Sequence, residues 1–385
     1  MLGVCLKYEQ KNYGSKLQAL ATVRSFENLK VDYEIIRYNK RDLRFVIKSI
    51  PRIFNFTFIN DRYLEIQRKS AFKKHPHVAE KVVIRNKAFE SFDSQFKNKL
   101  SPLYKNYNDL KQKCGKVYSQ VITCSDQLWS PSALASNFYN LNFAPNEVEK
   151  ISWSSSFGVS KIPWYQVGRT KKYLNPIEKI IMRENHGAEI VKQLTGRNVP
   201  VLMDPVFAFD KKEWEALVPC EPPEWEDYIF CYFLGSNPKH REAAKELAEK
   251  TGLKIVTLRH LDCFTKTDEN FGDYAPYDVT AQRFLNILRN AKFVLTDSFH
   301  GMAFSVICEK QFLVFDRYNK NSKNSKNSRI ESVCENLNLQ ERHYDFSGDI
   351  TEIIRKPIDY TAVLKRVEEY RQKTKDYLKA TLKKD

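Results

Sequence analysis

The sequence predicts an α/β protein of two domains, each built on an open parallel sheet, with the two sheets facing across a cleft. Short apolar runs alternate with segments of helical periodicity from GVCLKY onward, and at 385 residues the chain exceeds what one hydrophobic core normally serves. A Pro-rich, acidic stretch at 210–226 separates two such series and indicates a linker. We therefore expect domains at 1–209 and 227–356, with 357–385 a helix that packs back on the first domain.

The first domain begins with a strand, a turn and a helix. GVCLKY has the composition of a short strand, NYGSKLQALATVRSFENL shows helical spacing, and DYEIIRY supplies the next strand. Ligands of such sheets bind at the carboxyl ends of the strands, so Asn12, Tyr13 and Gly14 in the first turn are candidate binding residues. Residues 51–107 are basic, aromatic and helix-like, which favours an insertion or lid over sheet.

Four later apolar runs each end in polar residues: KVYSQVITCSDQLW, EKISWSSSFG, EKIIMRENHG and NVPVLMDPVF. This arrangement is expected where strand ends carry functional loops. Ser125, Asp126, Gln127 and Trp129 form a polar cluster with one aromatic side chain, as sugar sites often do, although a lone tryptophan is more often a core residue.

Arg183 directly follows the apolar run of EKIIMRENHG. Its guanidinium could grip a carboxylate or phosphate bidentately. A salt bridge with neighbouring Glu184 or Glu189 is the structural alternative.

The segment KFVLTDSFHGMAFSVI is the strongest local feature of the second domain. A buried strand ends at Thr296, Asp297 and Ser298 can cap the next helix, and His300 falls in its first turn. Free backbone N–H groups make that point an anion site, so His300 suits a general acid that is protonated when an anionic substrate arrives. The alternative is a histidine that only hydrogen-bonds the capping turn.

Three cations follow the last predicted strand of the second domain: Arg317, Lys320 and Arg329. Each alone could be a solvated surface charge. The intervening KNSKNSKNSR, residues 320–329, has no apolar side chain and predicts a mobile loop, either an inert insertion or a basic flap over the site.

The formal charge of +16 and the pI of about 9.3 indicate that the protein binds a negatively charged partner. Lys and Arg are interleaved with Asp and Glu without any nucleic-acid-binding motif, so we expect anionic substrates or the anionic inner face of a membrane, and no nucleic acid. No stretch approaches roughly 20 apolar residues and no signal peptide is recognisable, which predicts a cytoplasmic protein. The eight cysteines form no CxxC pair, as expected of free thiols in a reducing compartment.

Metal and cofactor motifs are weak. His75 and His77 in KKHPHV lie beside lysines with no third ligand nearby in sequence, so no metal site is predicted. The chain contains no GxGxxG, Walker loop or GxSxG elbow, and we expect no cofactor.

Taken together, NYGSKLQA, SDQLW, SSSFG, RENHG followed by MDPVF, and TDSFHG resemble the polysaccharide pyruvyl transferase family, in order through almost the entire chain. That family is similar in fold to the GT-B glycosyltransferases, with two Rossmann-like domains and the site between them. The resemblance implies transfer of the pyruvyl group of phosphoenolpyruvate, as a cyclic ketal, onto two hydroxyls of a sugar. The acceptor would be a lipid-linked, galactose-type precursor of a capsular or other cell-surface polysaccharide, bound by the first domain, with the donor bound by the second.

The resemblance also assigns roles to residues. His300 would be the acid or phosphate-binding residue, Arg183 the anchor of the donor, and Arg317 or Lys320 a second cation. Ser298 stands where many members have arginine, so one donor-binding cation must come from elsewhere. The general base is unassigned, and Asp126 is our candidate.

Two other function classes stay open on sequence alone. A GT-B glycosyltransferase that uses a nucleotide sugar would share the fold and the basic cleft, although no glutamate-rich nucleotide-sugar motif is evident in the second domain. A basic, non-enzymatic binding protein is the third possibility.

Overall fold

The computed structural model describes residues 1–39, 56–131, 137–262, 264–318 and 327–383. Two parallel sheets of six and four strands form its centre. This confirms the predicted α/β class with two Rossmann-like parallel sheets. None of the helices within these ranges has the length and apolar character needed to cross a bilayer.

The first sheet has the strand order β3-β2-β1-β4-β5-β6, and every neighbouring pair is parallel. Its strands are β1 (Leu2–Cys5), β2 (Tyr33–Tyr38), β3 (Leu100–Tyr104), β4 (Gln120–Cys124), β5 (Glu149–Ser155) and β6 (Lys179–Met182). Val4 of β1 lies opposite Ile122 of β4, and both are fully buried, as expected for a parallel sheet covered on both faces. The strand order reverses between β1 and β4, which is where open α/β sheets bind ligands.

The second sheet has the order β10-β9-β7-β8 and is also parallel throughout. Its strands are β7 (Tyr228–Tyr232), β8 (Lys254–Thr257), β9 (Phe293–Thr296) and β10 (Gln311–Val314). The order reverses between β7 and β9. The carboxyl end of β9 leads directly into the turn that carries His300.

Helices cover both sheets. In chain order they are α1 (Tyr13–Asn28), α2 (Phe56–Lys74), α3 (Pro76–Phe92), α4 (Tyr107–Val117), α5 (Val167–Leu174), α6 (Asn185–Thr195), α7 (Lys211–Leu217), α8 (Pro238–Thr251), α9 (Ala281–Asn290), α10 (Phe299–Ile307), α11 (Ser328–Leu337), α12 (Ile350–Arg355) and α13 (Tyr360–Thr381). The short 3₁₀ turns are Asp93–Lys99, Trp164–Gln166, Pro205–Ala208, Lys266–Asp268 and Gln340–Arg342.

The expected insertion at 51–107 ends earlier than the sequence suggests. Its described part contains α2 and α3, but β3 forms the edge strand of the first sheet. The sequence of β3 does not indicate a strand, because it contains Pro102, and proline is tolerated only in strands at sheet edges. Leu103 beside it is exposed, so the strand also lacks a regular apolar pattern. The expected linker at 210–226 contains α7, which starts with a capping box formed by Asp210 and Glu213.

The C-terminal helix α13 runs from the second domain to the first. At its start the Tyr360 hydroxyl donates to the carbonyl of Lys310, and in its middle Arg371 Nε donates to the carbonyl of Phe207 at 3.2 Å. At its end Gln120 of β4 donates to the carbonyl of Thr381 at 2.9 Å. The helix therefore contacts both domains on the side opposite to the carboxyl ends of the strands.

Candidate active site

The carboxyl ends of the two sheets meet where α1 of the first domain approaches α10 of the second. Gly14, in the first turn of α1, packs on the imidazole of His300, in the first turn of α10. A Cβ atom on Gly14 would lie 2.2 Å from Cγ of His300, so only glycine permits this approach. His300 is 6 % exposed and is thus held between the domains.

A buried network surrounds Asp204. Arg183 Nη1 donates to Asp204 Oδ2 at 2.6 Å and to Ser125 Oγ at 3.2 Å, and the Ser125 hydroxyl donates to the same aspartate oxygen at 2.6 Å. His300 Nε2 lies 3.7 Å from that oxygen. The network therefore joins the ends of β4 and β6 to the helix of the second domain.

Charge and burial shift the pKa values of this network in opposite directions. Burial alone would raise the pKa of Asp204, but His300, Arg183 and Ser125 outweigh it and hold that pKa well below its usual range. Burial lowers the pKa of Arg183, whereas Asp204 and Glu184 outweigh that effect and raise it. Both groups are therefore charged at neutral pH. Arg183 Nε and Nη2 have no hydrogen-bond partner among the described residues, although Nε lies 3.9 Å from Glu184.

Asp126 lies beside this network in a strained turn. Ser125 and Asp126 both have positive φ, 45° and 56°, a conformation that is uncommon for non-glycine residues and enriched at functional sites. The Ser15 hydroxyl donates to Asp126 Oδ2 at 3.3 Å, and the backbone N–H of Gln127 donates to Oδ1 at 2.7 Å. Burial would raise the pKa of Asp126, but Lys7, Arg183 and that N–H lower it to about 2. Asp126 is therefore an ionised, buried carboxylate.

Arg329 brings a second buried guanidinium to the site. Its Cζ lies 5.9 Å from the ring centre of Phe299, and Cζ of Arg183 lies 4.6 Å from the same ring. Gln127 accepts from Arg329 Nη2 at 2.7 Å when its amide oxygen faces the guanidinium. Within the described ranges Arg329 makes no salt bridge, and burial followed by repulsion from Arg183 lowers its pKa to about 10.

Arg317 is anchored to the turn that precedes α10. Its Nη2 donates to the backbone carbonyl of Asp297 at 2.9 Å, and its Nε lies 3.6 Å from Asp297 Oδ1. The Asp297 carboxylate also accepts from the N–H groups of Leu234 and Gly235, at 2.7 and 2.8 Å. A Cβ atom on Gly235 would come within 2.9 Å of Asp297 Oδ2, so glycine is required at this close contact. Asp297 thus ties three strand ends of the second sheet together.

Comparison with protein families matches residues 12–319 to polysaccharide pyruvyl transferases. This range spans well over half of the chain, five of the six strands of the first sheet and the whole second sheet. The chain belongs to the polysaccharide pyruvyl transferase family. It is therefore a transferase of polysaccharide biosynthesis. No curated protein sequence matches this chain.

Solved structures similar to this pyruvyl transferase include three enzymes. UDP-GlcNAc 2-epimerase from Neisseria meningitidis is 11 % identical, with 97 % of this chain and 93 % of that chain covered and a TM-score of 0.48. MurG from Acinetobacter baumannii is 7 % identical, with 99 % and 98 % covered and a TM-score of 0.43. The glycosyltransferase SnogD from Streptomyces nogalater is 8 % identical, with 100 % and 96 % covered and a TM-score of 0.43. Similarity this low transfers no substrate to the pyruvyl transferase.

Most of the residues singled out in the sequence of this pyruvyl transferase lie together in the structure. Asn12 caps α1 by accepting from the N–H of Ser15 at 3.1 Å, and Ser298 caps α10 by accepting from the N–H of Gly301 at 3.4 Å. These caps orient the two helix N-termini toward the cleft. Lys320 lies outside the described residues, as does most of the expected loop at 320–329.

Two residues expected at the acceptor site also have packing roles. Trp129 is fully buried, donates from Nε1 to the carbonyl of Tyr139 at 3.0 Å and packs on Phe157. Tyr13 is 6 % exposed and stacks on Phe284 of the second domain at 4.9 Å between ring centres. The contact of these two side chains with the acceptor stays a prediction.

Three site residues were not singled out in the sequence. Asp204 is the partner of Arg183, Glu184 accepts from the hydroxyl of Ser156 at 2.7 Å, and Lys7 contributes to the low pKa of Asp126. Asp204 had a usable signal, since it directly follows the apolar run VLM and precedes a proline. The sequence suggests Glu184 only as an alternative salt-bridge partner of Arg183. In the structure Arg183 lies 3.9 Å from Glu184 and also makes the shorter salt bridge, of 2.6 Å, to Asp204.

Proposed function

We propose that this chain transfers the pyruvyl group of phosphoenolpyruvate onto two hydroxyls of a sugar and forms a cyclic ketal. The observation that supports this most directly is the pair of buried guanidinium groups beside Phe299. Arg329 makes no salt bridge among the described residues, and Arg183 keeps two nitrogens without a hydrogen-bond partner. Burying Arg329 without an ion pair, and two donor nitrogens of Arg183 without acceptors, costs free energy, which a bound dianion would recover.

Phosphoenolpyruvate has the anionic groups that this cation set requires. We assign its carboxylate to the free edge of Arg183, which can bind it with two parallel hydrogen bonds. Its phosphate is assigned to Arg329 and Arg317, close to the N-terminus of α10, where backbone N–H groups favour anions. Arg317 and Arg329 replace the cation that family members carry at the position of Ser298.

The reaction we propose begins at His300. Its imidazolium gives a proton to the methylene carbon of the donor, and the neighbouring carbon becomes an oxocarbenium centre. The first sugar hydroxyl attacks that centre and its proton returns to the histidine. The carbon–oxygen bond to phosphate then breaks, the second hydroxyl attacks the renewed oxocarbenium centre, and its proton leaves with phosphate. The products are one cyclic ketal and inorganic phosphate.

Asp126 fits this chemistry as a weak proton acceptor. A carboxylate with a pKa of about 2 is a poor base for a free hydroxyl. A hydroxyl oxygen bonded to an oxocarbenium carbon is a strong acid, however, and needs only a nearby weak base. We therefore assign Asp126 to orient the second attacking hydroxyl, accept its proton late in the step and pass it to the departing phosphate.

A cavity of about 660 Å³ at the ends of β1 and β2 is our proposed acceptor site. Tyr8, Tyr38 and Tyr139 supply aromatic rings, and Lys7 and Arg37 supply polar groups, a mixture suited to sugar rings. Lys7 also lies close enough to Asp126 to lower its pKa, which connects the cavity to the chemistry. We propose a galactose-type residue of a lipid-linked oligosaccharide as acceptor, reached at the cytoplasmic face of an anionic membrane by a protein of charge +16.

The test is incubation of the purified chain with phosphoenolpyruvate and a galactose-bearing lipid-linked acceptor. We expect release of phosphate together with a mass gain of one pyruvyl group on the acceptor. Parallel reactions contain a sugar nucleotide in place of phosphoenolpyruvate. Release of nucleoside diphosphate there, with no pyruvyl product in the first reaction, would identify a glycosyltransferase and overturn the proposal.

A further inference from the structure

Three potential metal ligands from the two domains come together at the edge of the cleft, away from His300. His75 and His77 lie at the start of α3, and Glu269 follows the turn Lys266–Asp268 of the second domain. One ligand atom from each residue lies within 4.8 Å of the other two. On sequence alone the histidines lacked a third ligand, since Glu269 is almost 200 residues further along the chain.

One separation within this cluster is close to that of two ligands on a shared ion. His77 Nε2 and Glu269 Oε1 are 3.6 Å apart, too far for a hydrogen bond. Two ligands on one tetrahedral zinc ion, with bonds of about 2.1 Å, are about 3.4 Å apart. The observed distance therefore matches two ligands that share one ion.

His75, the other histidine, has no capping role that would compete with metal binding. His75 precedes α3 but makes no side-chain capping hydrogen bond. Its ring stacks on Phe264 with centres 3.8 Å apart and planes 9° from parallel, which fixes the ring plane. The ring of His77 is nearly perpendicular to it, at 85° and 5.9 Å.

We propose that His75, His77 and Glu269 bind one divalent transition-metal ion of the zinc type. Two imidazoles and one carboxylate are a ligand set that zinc uses in sites with an open coordination position. Such a position would be available to water or a ligand from the adjoining cavity of about 330 Å³, which His77 and Glu269 both line. The site is independent of the proposed transfer reaction.

An ion at this location would connect the two domains. On the same face of α3, Arg85 Nη1 donates to Asp262 Oδ1 of the second domain at 2.8 Å, and Lys81 lies over the ring of Tyr277 at 4.8 Å. An ion bound by ligands from both sides adds a further connection across this contact. The ion therefore stabilises the contact between the two domains.

The test uses the full chain without a histidine tag, with Cys220 and Cys263 replaced by serine. Cys220 is exposed and would compete for zinc, Cys263 lies outside the described residues, and the other described cysteines are buried. Isothermal titration with Zn²⁺ and the visible spectrum with Co²⁺ report stoichiometry and ligand geometry. We expect one saturable equivalent per chain and a rise in Tm when Zn²⁺ is present.

The variants Glu269→Gln and His77→Ala should each lose that equivalent and the Zn²⁺-dependent rise in Tm. The matched controls Glu249→Gln and His186→Ala remove exposed residues elsewhere and should retain both. Glu269→Gln preserves the shape of the side chain, so circular dichroism of that variant should match the parent. Absence of saturable binding by the parent, or equal binding by Glu269→Gln and His77→Ala, would overturn the proposal.

Discussion

Gly14 packs directly on the imidazole ring of His300, and this contact joins the N-termini of α1 and α10 across the two domains. The space for a Cβ atom on Gly14 is already filled, since that atom would lie 2.2 Å from Cγ of His300 and 2.3 Å from Nδ1. The position of His300 relative to Asp204 therefore depends on how closely the domains approach. A histidine with a proposed role in proton transfer is set in place by backbone packing.

Gly14→Ala should displace His300 and slow transfer by about 10²-fold, because a misplacement of the order of 1 Å has such an effect on catalysis. The measurement is the rate of pyruvyl transfer at saturating phosphoenolpyruvate. Gly168→Ala is the matched control, since a Cβ atom there meets nothing within 4 Å. A rate for Gly14→Ala within about twofold of the parent would show that the contact does not position the histidine.

His300→Ala should reduce the rate by about 10² to 10⁴-fold while the fold persists, because loss of a general acid typically has this effect. Ser298 caps α10 independently of the histidine, so the helix is retained. Exposed His186 provides a control substitution, His186→Ala, that should leave turnover unchanged. Full activity in a folded His300→Ala protein would remove the residue from the mechanism.

The alternation of strands and helices was predictable because parallel strands are continuous apolar runs. The polar residues that follow these runs could be recognised as candidate site residues. Ser125, Asp126, Arg183 and His300 were found in this way. The proline-containing β3 was missed, because the apolar signal of an edge strand is weak.

Partner relationships between distant segments could not be predicted. Asp204 is 21 residues from Arg183 and 96 from His300, and only the fold brings all three together. The direction of the Tyr13 side chain could not be predicted either, since its turn lies at a strand end and its ring packs against Phe284 of the other domain. Sequence position identified the right turn without showing which way the side chain points.

Arg183→Lys should weaken the apparent affinity for phosphoenolpyruvate much more than that for the acceptor. A lysine can retain the charge pair with Asp204, but it cannot offer the two nitrogens that Arg183 keeps unpaired. Apparent affinities for both substrates are measured from initial rates. Arg197→Lys is the matched control, because Arg197 donates to the carbonyls of Ile177 and Leu174 outside the site. Equal effects on donor and acceptor would make Arg183 a structural ion-pair partner.

Asp297 provides a prediction about stability. Its carboxylate is fully buried, and burial by itself would raise its pKa, but Arg317, His240 and the N–H of Leu234 outweigh burial and lower the pKa to about 2. An unfolded aspartate has a pKa of about 3.9. Because the folded value is the lower one, ionised Asp297 stabilises the fold fully above about pH 5, and this contribution is lost as the pH falls through about 4 toward 2.

Asp297→Asn should therefore be destabilising at pH 6 and progressively less so as the pH falls. A pKa difference of roughly 2 units corresponds to about 2.6 kcal/mol. Part of this contribution remains at pH 2, so the gap in the free energy of unfolding between parent and variant should shrink by about 2 kcal/mol between pH 6 and pH 2. Urea unfolding followed by circular dichroism at several pH values measures the gap. Because the Asp297 side chain is fully buried and that of Arg317 is only 18 % exposed, the pH dependence should persist at about 0.5 M salt, where surface pairs are screened. A gap that stays constant with pH would show that the carboxylate has no lowered pKa in the folded protein, and that Arg317 is held by the backbone carbonyl of residue 297 alone.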